Sequence, residues 1–273
     1  MSDSRTVAIV GLGLIGGSLA RDLAARGVRV LAFDNNAAAL RGAVEEGVVA
    51  AALPQPIGNL EAVDVLVIAT PVDVATGILV ETAVRLPPHA IITDVCSTKH
   101  TLERAAIELG LGSRFVGGHP LAGDVCSGWT ASREGLFAGA PVYLCPTPQT
   151  GDDAMRVVRE LWAGIGAVPE IMAAADHDHL LASTSHLPQF TATALARVLK
   201  GAGIPFSRLG PGGRDMTRLA GSSSEVWTAI ALDNRLAITS AVRRLEAELV
   251  RLRSALEAQD AEAVRRFLSL DTY

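Results

Sequence analysis

The feature that most constrains the fold is a glycine-rich turn near the start of the chain. The apolar run Thr6–Val10 reads as a buried strand, and the sequence GLGLIG follows it and opens an apolar helix. At this spacing, the first glycine permits a tight turn, the second lets the backbone approach a pyrophosphate, and the third lets helix and strand pack closely. The pattern predicts a dinucleotide site that includes Gly11, Gly13, Leu14, Ile15 and Gly16.

An acidic residue after the second apolar run, Val28–Phe33, indicates which dinucleotide is bound. Asp34 follows the glycine turn at about the 20-residue spacing that is typical of such sites. A carboxylate here accepts hydrogen bonds from ribose hydroxyls and repels a 2′-phosphate, so NAD is favoured over NADP. FAD and S-adenosylmethionine sites share parts of this pattern, and the motif therefore leaves the reaction open.

Strand and helix patterns alternate along the first two thirds of the chain. The predicted strands are Thr6–Val10, Val28–Phe33, Val65–Ala69, Ala90–Asp94, Arg114–Gly117, Ala140–Leu144 and Ala167–Ile171. This alternation predicts a parallel sheet covered on both faces. After about residue 173 only helical patterns remain. We predict an α/β fold with an N-terminal Rossmann NAD-binding domain at residues 1–172 and an all-α C-terminal domain at residues 173–273.

Charge and hydropathy exclude several classes of partner. The net charge of −5 provides no basic field for nucleic acid, so no nucleic-acid partner is expected. No apolar run approaches the roughly 20 residues that a membrane helix needs. The first residues run directly into the glycine-bearing strand, which a signal peptide would not carry, and we expect a cytoplasmic protein.

Three further patterns are open to more than one interpretation. Asp176–His179 resembles a metal cluster, but adjacent residues on one helical turn splay apart, so we predict a helix capped by Asp176 and no metal site. The three widely spaced cysteines argue against a disulfide scaffold, and we expect small buried residues. The apolar stripe Val242–Leu256 predicts a helix face buried within its domain or against a second subunit.

Polar clusters follow the predicted strands, where ligands bind in open α/β sheets. Thr70 and Pro71 follow one strand, DVCSTK lies at the end of the next, and GGHPLAGD lies at the end of a third. Two more clusters, SHLP and RDMTRLAGSSSEVW, lie in the helical part. These six segments, counting GLGLIGGS, stand in the order and near the spacing of one family. The chain resembles the monofunctional prephenate/arogenate dehydrogenases of tyrosine biosynthesis along nearly its whole length.

The resemblance implies an NAD-dependent oxidation of a cyclohexadienol, a small-molecule substrate. Hydride leaves the carbinol carbon, the hydroxyl proton is removed, and the ring carboxylate departs as CO2. His119 matches the family's catalytic histidine, and Ser97 matches the serine that bonds the same hydroxyl. Arg218 matches the arginine that binds a substrate carboxylate, with Arg214 as the less favoured alternative. The remaining implied contacts are His186, Ser222 and Trp227 for the substrate, and Thr70 and Pro71 for the cofactor.

The chain departs from the family pattern at two positions. Many members carry HPxAGTE, whereas this chain has Asp124 and Val125 in place of the last two residues. Gln189 stands where many members have a second histidine. Prephenate carries a keto group where arogenate carries an ammonium, so a carboxylate at Asp124 in the substrate site would favour arogenate. The resemblance also implies a homodimer formed through the helical domain.

Two other functions compete with this one. A β-hydroxyacid or 6-phosphogluconate-type dehydrogenase shares the layout, but it uses a lysine of the second domain as acid/base. Beyond Lys99 the chain has only Lys200, which lies far from any motif. A non-catalytic NAD-binding module predicts cofactor binding without turnover.

Overall fold

The computed structural model describes residues 5–56, 61–123 and 126–269. In these residues, eight strands form one sheet in the order β3-β2-β1-β4-β5-β6-β7-β8. The strands are β1 Thr6–Val10, β2 Arg29–Phe33, β3 Ala51–Ala52, β4 Val65–Ile68, β5 Ile91–Asp94, β6 Phe115–Pro120, β7 Pro141–Pro146 and β8 Val168–Ile171. The order of the first six is that of a Rossmann sheet, which confirms the predicted fold class.

Helices cover both faces of the sheet, as its apolar strands require. They are α1 Leu14–Ala24, α2 Ala37–Glu45, α3 Val72–Arg85, α4 His100–Glu108 and α5 Asp152–Gly164. Alternate residues of β1 belong to two separate cores: Val7 and Ile9 pack with α1, α2 and α5, whereas Ala8 and Val10 pack with α3 and α4. Since strand side chains alternate between faces, β1 is buried on both sides.

Two details of the sheet differ from the prediction. The two-residue strand β3 is too short to produce a periodic pattern in the sequence. Strand β7 runs antiparallel to β6, although the other neighbouring strands are parallel. A parallel connection needs a crossover, usually a helix. The described part of the β6–β7 connection carries only a single 3-10 turn, Trp129–Ala131, and the chain returns beside β6 in the opposite direction.

The remaining helices follow β8. They are α6 Ala174–Leu181, a π-helical turn at Ala182–His186, α7 Leu187–Gly201, α8 Pro211–Thr217, α9 Ser224–Asp233, α10 Arg235–Glu257 and α11 Ala261–Leu268. Helices α9 and α10 are separated at Asn234, and the predicted stripe Val242–Leu256 lies on α10. In the described segments, no helix combines the length and apolar character needed to cross a membrane.

The chain packs as two compact units. The first comprises Met1–Asp178 and Gly221–Asp233, so it contains the sheet and α9. The second comprises His179–Ala220 and Asn234–Tyr273, in which α10 contacts α7 and α11. The division into domains at residue 172 stays a prediction.

The contact between α1 and the glycine turn provides a test of the fold. A Cβ added at Gly16 would overlap the Gly11 carbonyl oxygen and lie 2.8 Å from the Ala69 Cβ. Because backbone cannot yield as a flexible side chain does, Gly16→Ala is expected to lower the free energy of unfolding by about 1–3 kcal/mol. Urea unfolding of the ligand-free protein measures this change.

The matched control is Gly77→Ala within α3, where an added Cβ meets nothing within 4 Å. Alanine is the better helix former, so this variant should gain about 0.5–1 kcal/mol. Equal unfolding free energies for the two variants would show that the turn does not require glycine.

Candidate active site

A cleft of about 950 Å³ lies along the carboxyl ends of β1, β2 and β4. It is lined in part by the predicted cofactor residues Gly11, Gly13, Asp34, Thr70 and Pro71. Leu14 is buried in the first turn of α1, and Ile15 is half-buried. The structure thus brings most of the predicted cofactor residues to one concave surface, which is the usual form of a small-molecule site.

The backbone of the turn suits a phosphate group. Gly11 has a φ of +102°, and an added Cβ there would lie 2.5 Å from the Ala69 carbonyl oxygen. Gly13 caps α1 without a side chain, and nothing lies within 4 Å of the position that a Cβ would take. The N-terminus of α1 is therefore accessible to a ligand, and its free amides and dipole favour an anion.

Asp34 is held in place by backbone amides. Its Oδ2 accepts a hydrogen bond from Leu12 N at 2.6 Å, and its Oδ1 accepts one from Asn36 N at 2.7 Å. An ionised carboxylate has about four acceptor positions, so these two bonds orient it and leave capacity for ribose hydroxyls. The fit of the cleft to a dinucleotide rests on this carboxylate and on the open glycine turn.

His119 lies on β6, next to the end of the strand. Because β1, β4, β5 and β6 are parallel, the glycine turn after β1 and His119 belong to the same carboxyl edge of the sheet. His119 is half-buried, and its Nδ1 lies 2.9 Å from Nε2 of His177. The two rings meet edge to face, with their centroids 5.1 Å apart.

His177 and Asp178, on α6, continue this contact into the interior. His177 has no exposed surface, and its Nδ1 lies 2.8 Å from Asp178 Oδ1. The His177 ring also meets Tyr143, the cross-strand partner of His119, with centroids 5.7 Å apart. Burial lowers the pKa of His177, although Asp178 opposes the shift, and the imidazole is neutral near pH 7.

Asp178 also binds the N-terminus of α4. Its Oδ1 accepts a hydrogen bond from Lys99 N at 2.8 Å, and its Oδ2 accepts one from His100 N at 3.0 Å. Burial alone would raise the pKa of Asp178. The hydrogen bonds from His177 and these two amides outweigh burial and lower it, so the carboxylate is ionised.

A buried ion pair joins β5 to β6 beside His119. Lys99 Nζ pairs with Asp94 and donates a hydrogen bond to the Gly118 carbonyl oxygen at 2.6 Å. Burial lowers the pKa of Lys99, but the Asp94 carboxylate more than offsets this and holds it above its ordinary value. Ser97 lies half-buried in the same loop, two residues before Lys99.

Two of the predicted substrate residues lie in the second unit. Arg218 follows α8, is exposed, and within the described chain forms no ion pair. Arg214 instead donates to the Leu209 carbonyl oxygen at 2.6 Å. Gln189 donates to the Leu219 carbonyl oxygen at 2.8 Å and so tethers the segment next to Arg218. His186 is buried at the end of the π-helical turn, with its Nδ1 3.4 Å from Asn234 Nδ2.

Ser222 and Trp227 belong to the first unit, where both are half-buried and Trp227 lies on α9. Asp124 lies outside the described residues.

Cys96 and Cys145 are buried as expected, and burial raises the pKa of both thiols, that of Cys145 to about 12. Cys126 is exposed, which contradicts the expectation for that residue.

Asp176 does not cap a helix, so the prediction for Asp176–His179 is wrong in this respect. Helix α6 begins at Ala174, so Asp176 is an exposed residue of its first turn and not the cap. Among the described residues no group of three or more acidic, histidine or cysteine side chains is arranged to hold a metal ion. His177 and Asp178 could not be predicted as site residues, because their partners, His119 and the start of α4, are remote in the chain.

Comparisons with known proteins agree over almost the full length of the chain. A family model described as "Prephenate dehydrogenase, nucleotide-binding domain" matches residues 19–171, and one described as "Prephenate dehydrogenase, dimerization domain" matches residues 173–270. A prephenate dehydrogenase of Bacillus subtilis is 33% identical, over 96% of this chain and 73% of that protein.

Two solved structures are also similar. A prephenate dehydrogenase from A. aeolicus, in complex with hydroxyphenyl propionate and NAD+, has a TM-score of 0.89 at 30% identity, covering 97% of this chain and 94% of that one. A Synechocystis arogenate dehydrogenase has a TM-score of 0.81 at 30% identity, covering 96% of both chains.

The buried neutral His177 predicts how stability depends on pH. Its pKa is lower in the folded state than in the unfolded state, so the unfolded chain binds more protons once the pH falls below about 6.5. Stability should therefore fall on acidification, by up to about 1.4 kcal/mol per pH unit for this one group. Asp178 adds to this loss of stability only at lower pH. Its pKa is lower in the folded than in the unfolded state, so its stabilising effect is lost as the pH falls below the pKa of the unfolded chain.

Urea unfolding at pH 7 and pH 5 tests this assignment. The His177→Phe variant should lose about 1 kcal/mol less than the wild type between the two pH values. His179→Phe, on the same helix but exposed, should keep the wild-type difference. If both variants behave as the wild type does, His177 does not titrate as inferred.

Proposed function

We propose a function from the premise that this chain belongs to the prephenate dehydrogenase family: the NAD-dependent oxidative decarboxylation of prephenate to 4-hydroxyphenylpyruvate, or of arogenate to tyrosine. The observation that carries the proposal is the position of His119. It lies at the same sheet edge as the glycine turn, in the region where ligands of open α/β sheets bind.

The cleft after β1 is the proposed NAD site. The turn residues Gly11, Gly13 and Gly16, with Leu14 and Ile15 at the start of α1, would hold the pyrophosphate. Asp34 would accept the ribose hydroxyls, and Thr70 and Pro71 would line the cleft beside the glycine turn. When bound, NAD+ supplies the hydride acceptor.

His119 is the proposed catalytic base, and Ser97 is its proposed partner at the substrate. As hydride leaves the carbinol carbon, the hydroxyl on that carbon becomes more acidic, and a neutral imidazole takes up its proton. A serine hydroxyl that bonds the same oxygen restricts its position relative to the imidazole. Loss of CO2 then makes the ring aromatic, and no further base is required for that step.

The remaining predicted residues would bind the substrate. Arg218 is the proposed carboxylate ligand, since it is exposed and without an ion pair in the described chain, whereas the Arg214 guanidinium donates to the backbone. His186, Ser222 and Trp227 are proposed contacts, and Asp124 is the proposed determinant of a preference for arogenate.

We also propose a homodimer formed through the helical region. The apolar stripe on α10 is uncovered in the single chain, with Val242, Leu249 and Leu256 exposed, and a dimerization-domain model matches this region. The proposal includes a cytoplasmic location, where a dehydrogenase of amino-acid synthesis meets its cofactor.

The β-hydroxyacid alternative lacks its acid/base. Lys99 is buried in the pair with Asp94, and Lys200 is exposed at the end of α7. Lys99 is not among the residues that line the dinucleotide cleft, so it is not presented there as a general acid.

The first test is NADH formation, followed by absorbance, with prephenate and arogenate each offered with NAD+ and with NADP+. We expect turnover of at least one substrate with NAD+ and much less with NADP+. His119→Asn should lower kcat by about 10²–10⁴-fold because the proton acceptor is lost, while the Kd for NAD+ barely changes. His89→Asn, at an exposed position, is the matched control. Normal turnover by His119→Asn would refute the assignment of the base.

A second test concerns the carboxylate ligand. Arg218→Gln should raise KM for the substrate about 10- to 100-fold, as expected for the loss of a charge-assisted hydrogen bond, with a smaller effect on kcat. Arg214→Gln is the control and should leave KM near the wild-type value. The opposite result, with KM raised only by Arg214→Gln, would transfer the role to Arg214.

A further inference from the structure

The three side chains His119, His177 and Asp178 form one hydrogen-bonded series that leads from the sheet edge into the interior. The distances are 2.9 Å from His119 Nδ1 to His177 Nε2 and 2.8 Å from His177 Nδ1 to Asp178 Oδ1. The proposed reaction uses only the first member. His177 is fully buried, so its contact with His119 is not made through solvent.

The position of each proton in this series follows from Asp178. An ionised carboxylate only accepts hydrogen bonds, so His177 must carry its proton on Nδ1. A neutral His177 then has a lone pair on Nε2, and this atom accepts from His119 Nδ1–H. In neutral His119 the lone pair is consequently on Nε2, the nitrogen that does not face His177.

The carboxylate that sets this order is itself fixed. Asp178 accepts hydrogen bonds from the Lys99 and His100 amides at the start of α4, which orients both of its oxygens. A helix N-terminus stabilises a negative charge, so the group remains an acceptor. The tautomer of His119 is therefore set, through His177, by a carboxylate that the α4 amides hold in place.

We propose that His177 and Asp178 are positioning residues, which hold His119 in the one tautomer that presents Nε2 to a substrate hydroxyl as a base. The inference rests on the proposed function of His119, and it adds the reason why that imidazole is ready to accept a proton. It also predicts that His177 stabilises the imidazolium formed during the reaction, since His119 keeps its acceptor when charged.

Several charged and titratable groups face His177 and bear on any pH effect. They are His119 on β6, Tyr143 on β7, Asp178 on α6, and the pair of Asp94 and Lys99 between β5 and α4. Lys99 and Asp94 carry opposite charges and largely cancel at a distance. The Asp178 carboxylate is in contact with His177 and favours the protonated form of that ring.

The tautomers are measurable without any substrate. In ¹⁵N–¹H correlation spectra of the full chain labelled with ¹⁵N-histidine at pH 7.5, we expect the neutral forms of His119 and His177 each to be protonated on Nδ1. The chain has six histidines, and the His119→Asn and His177→Gln variants assign the two signals. A His119 that is protonated on Nε2 would overturn the proposal.

Kinetics supply a second, independent test. His177→Phe removes the acceptor and should lower kcat about 10- to 100-fold, as is typical when a metal-bound histidine loses its outer hydrogen-bond partner, with little change in KM or in the Kd for NAD+. The acid limb of kcat/KM should move to lower pH, because the His119 imidazolium loses its acceptor. His177→Gln places an amide oxygen near the position of Nε2 and should recover part of the loss.

A double-mutant cycle separates positioning from a general structural effect. In a His119→Asn background, the change His177→Phe should alter kcat by no more than about 2-fold, because the imidazole on which it acts is gone. An equal loss in both backgrounds would overturn the proposal. His179→Phe is the control on the same helix. Absence of NADH formation by the wild type would instead count against the proposed function and leave the tautomer measurement intact.

Discussion

Lys99 and Asp94 form a buried ion pair on which the geometry of the sheet edge depends. A lysine and a carboxylate that are both removed from water incur a large desolvation cost unless each finds partners. Lys99 Nζ contacts Asp94 and the Gly118 carbonyl oxygen, and Asp94 also accepts hydrogen bonds from the Cys96 and Gly118 amides. The loop after β5 and the end of β6 therefore cannot separate without leaving a buried charge uncompensated.

This constraint extends to α6 through the backbone of Lys99. The Lys99 amide donates to Asp178, so the residue whose side chain holds β6 also holds the carboxylate behind His177. His119 is one residue beyond Gly118, and its ring meets His177. Strand β6, which carries the proposed base, and helix α6, which carries His177 and Asp178, are thus both hydrogen-bonded to Lys99. These bonds fix the position of His119 relative to His177.

Much of the sheet and the dinucleotide turn could be predicted because their determinants are local. The strand β1, the glycine turn and Asp34 each show a residue type and spacing that backbone geometry requires. The direction of β7 follows from a connection whose described part carries only one 3-10 turn, and hydrophobic periodicity does not report the direction of a strand. The sequence around His177 predicted only the charged start of a helix. Its contact with His119 joins residues 58 positions apart, and such a contact does not appear in a local sequence pattern. The family motifs predicted His119 and Ser97 as site residues, but they did not indicate which residues contact the His119 imidazole from the interior.

The order histidine–histidine–carboxylate has an electrostatic consequence for the proposed reaction. A carboxylate placed directly on His119 would also fix its tautomer, but it would bring a negative charge next to a substrate that itself carries carboxylates. Coulomb repulsion falls with distance, and the inserted neutral imidazole moves the Asp178 charge one ring further away. The two α4 amides compensate that charge further. A neutral acceptor in contact with His119 therefore orients the base without repelling the anion that the site must bind.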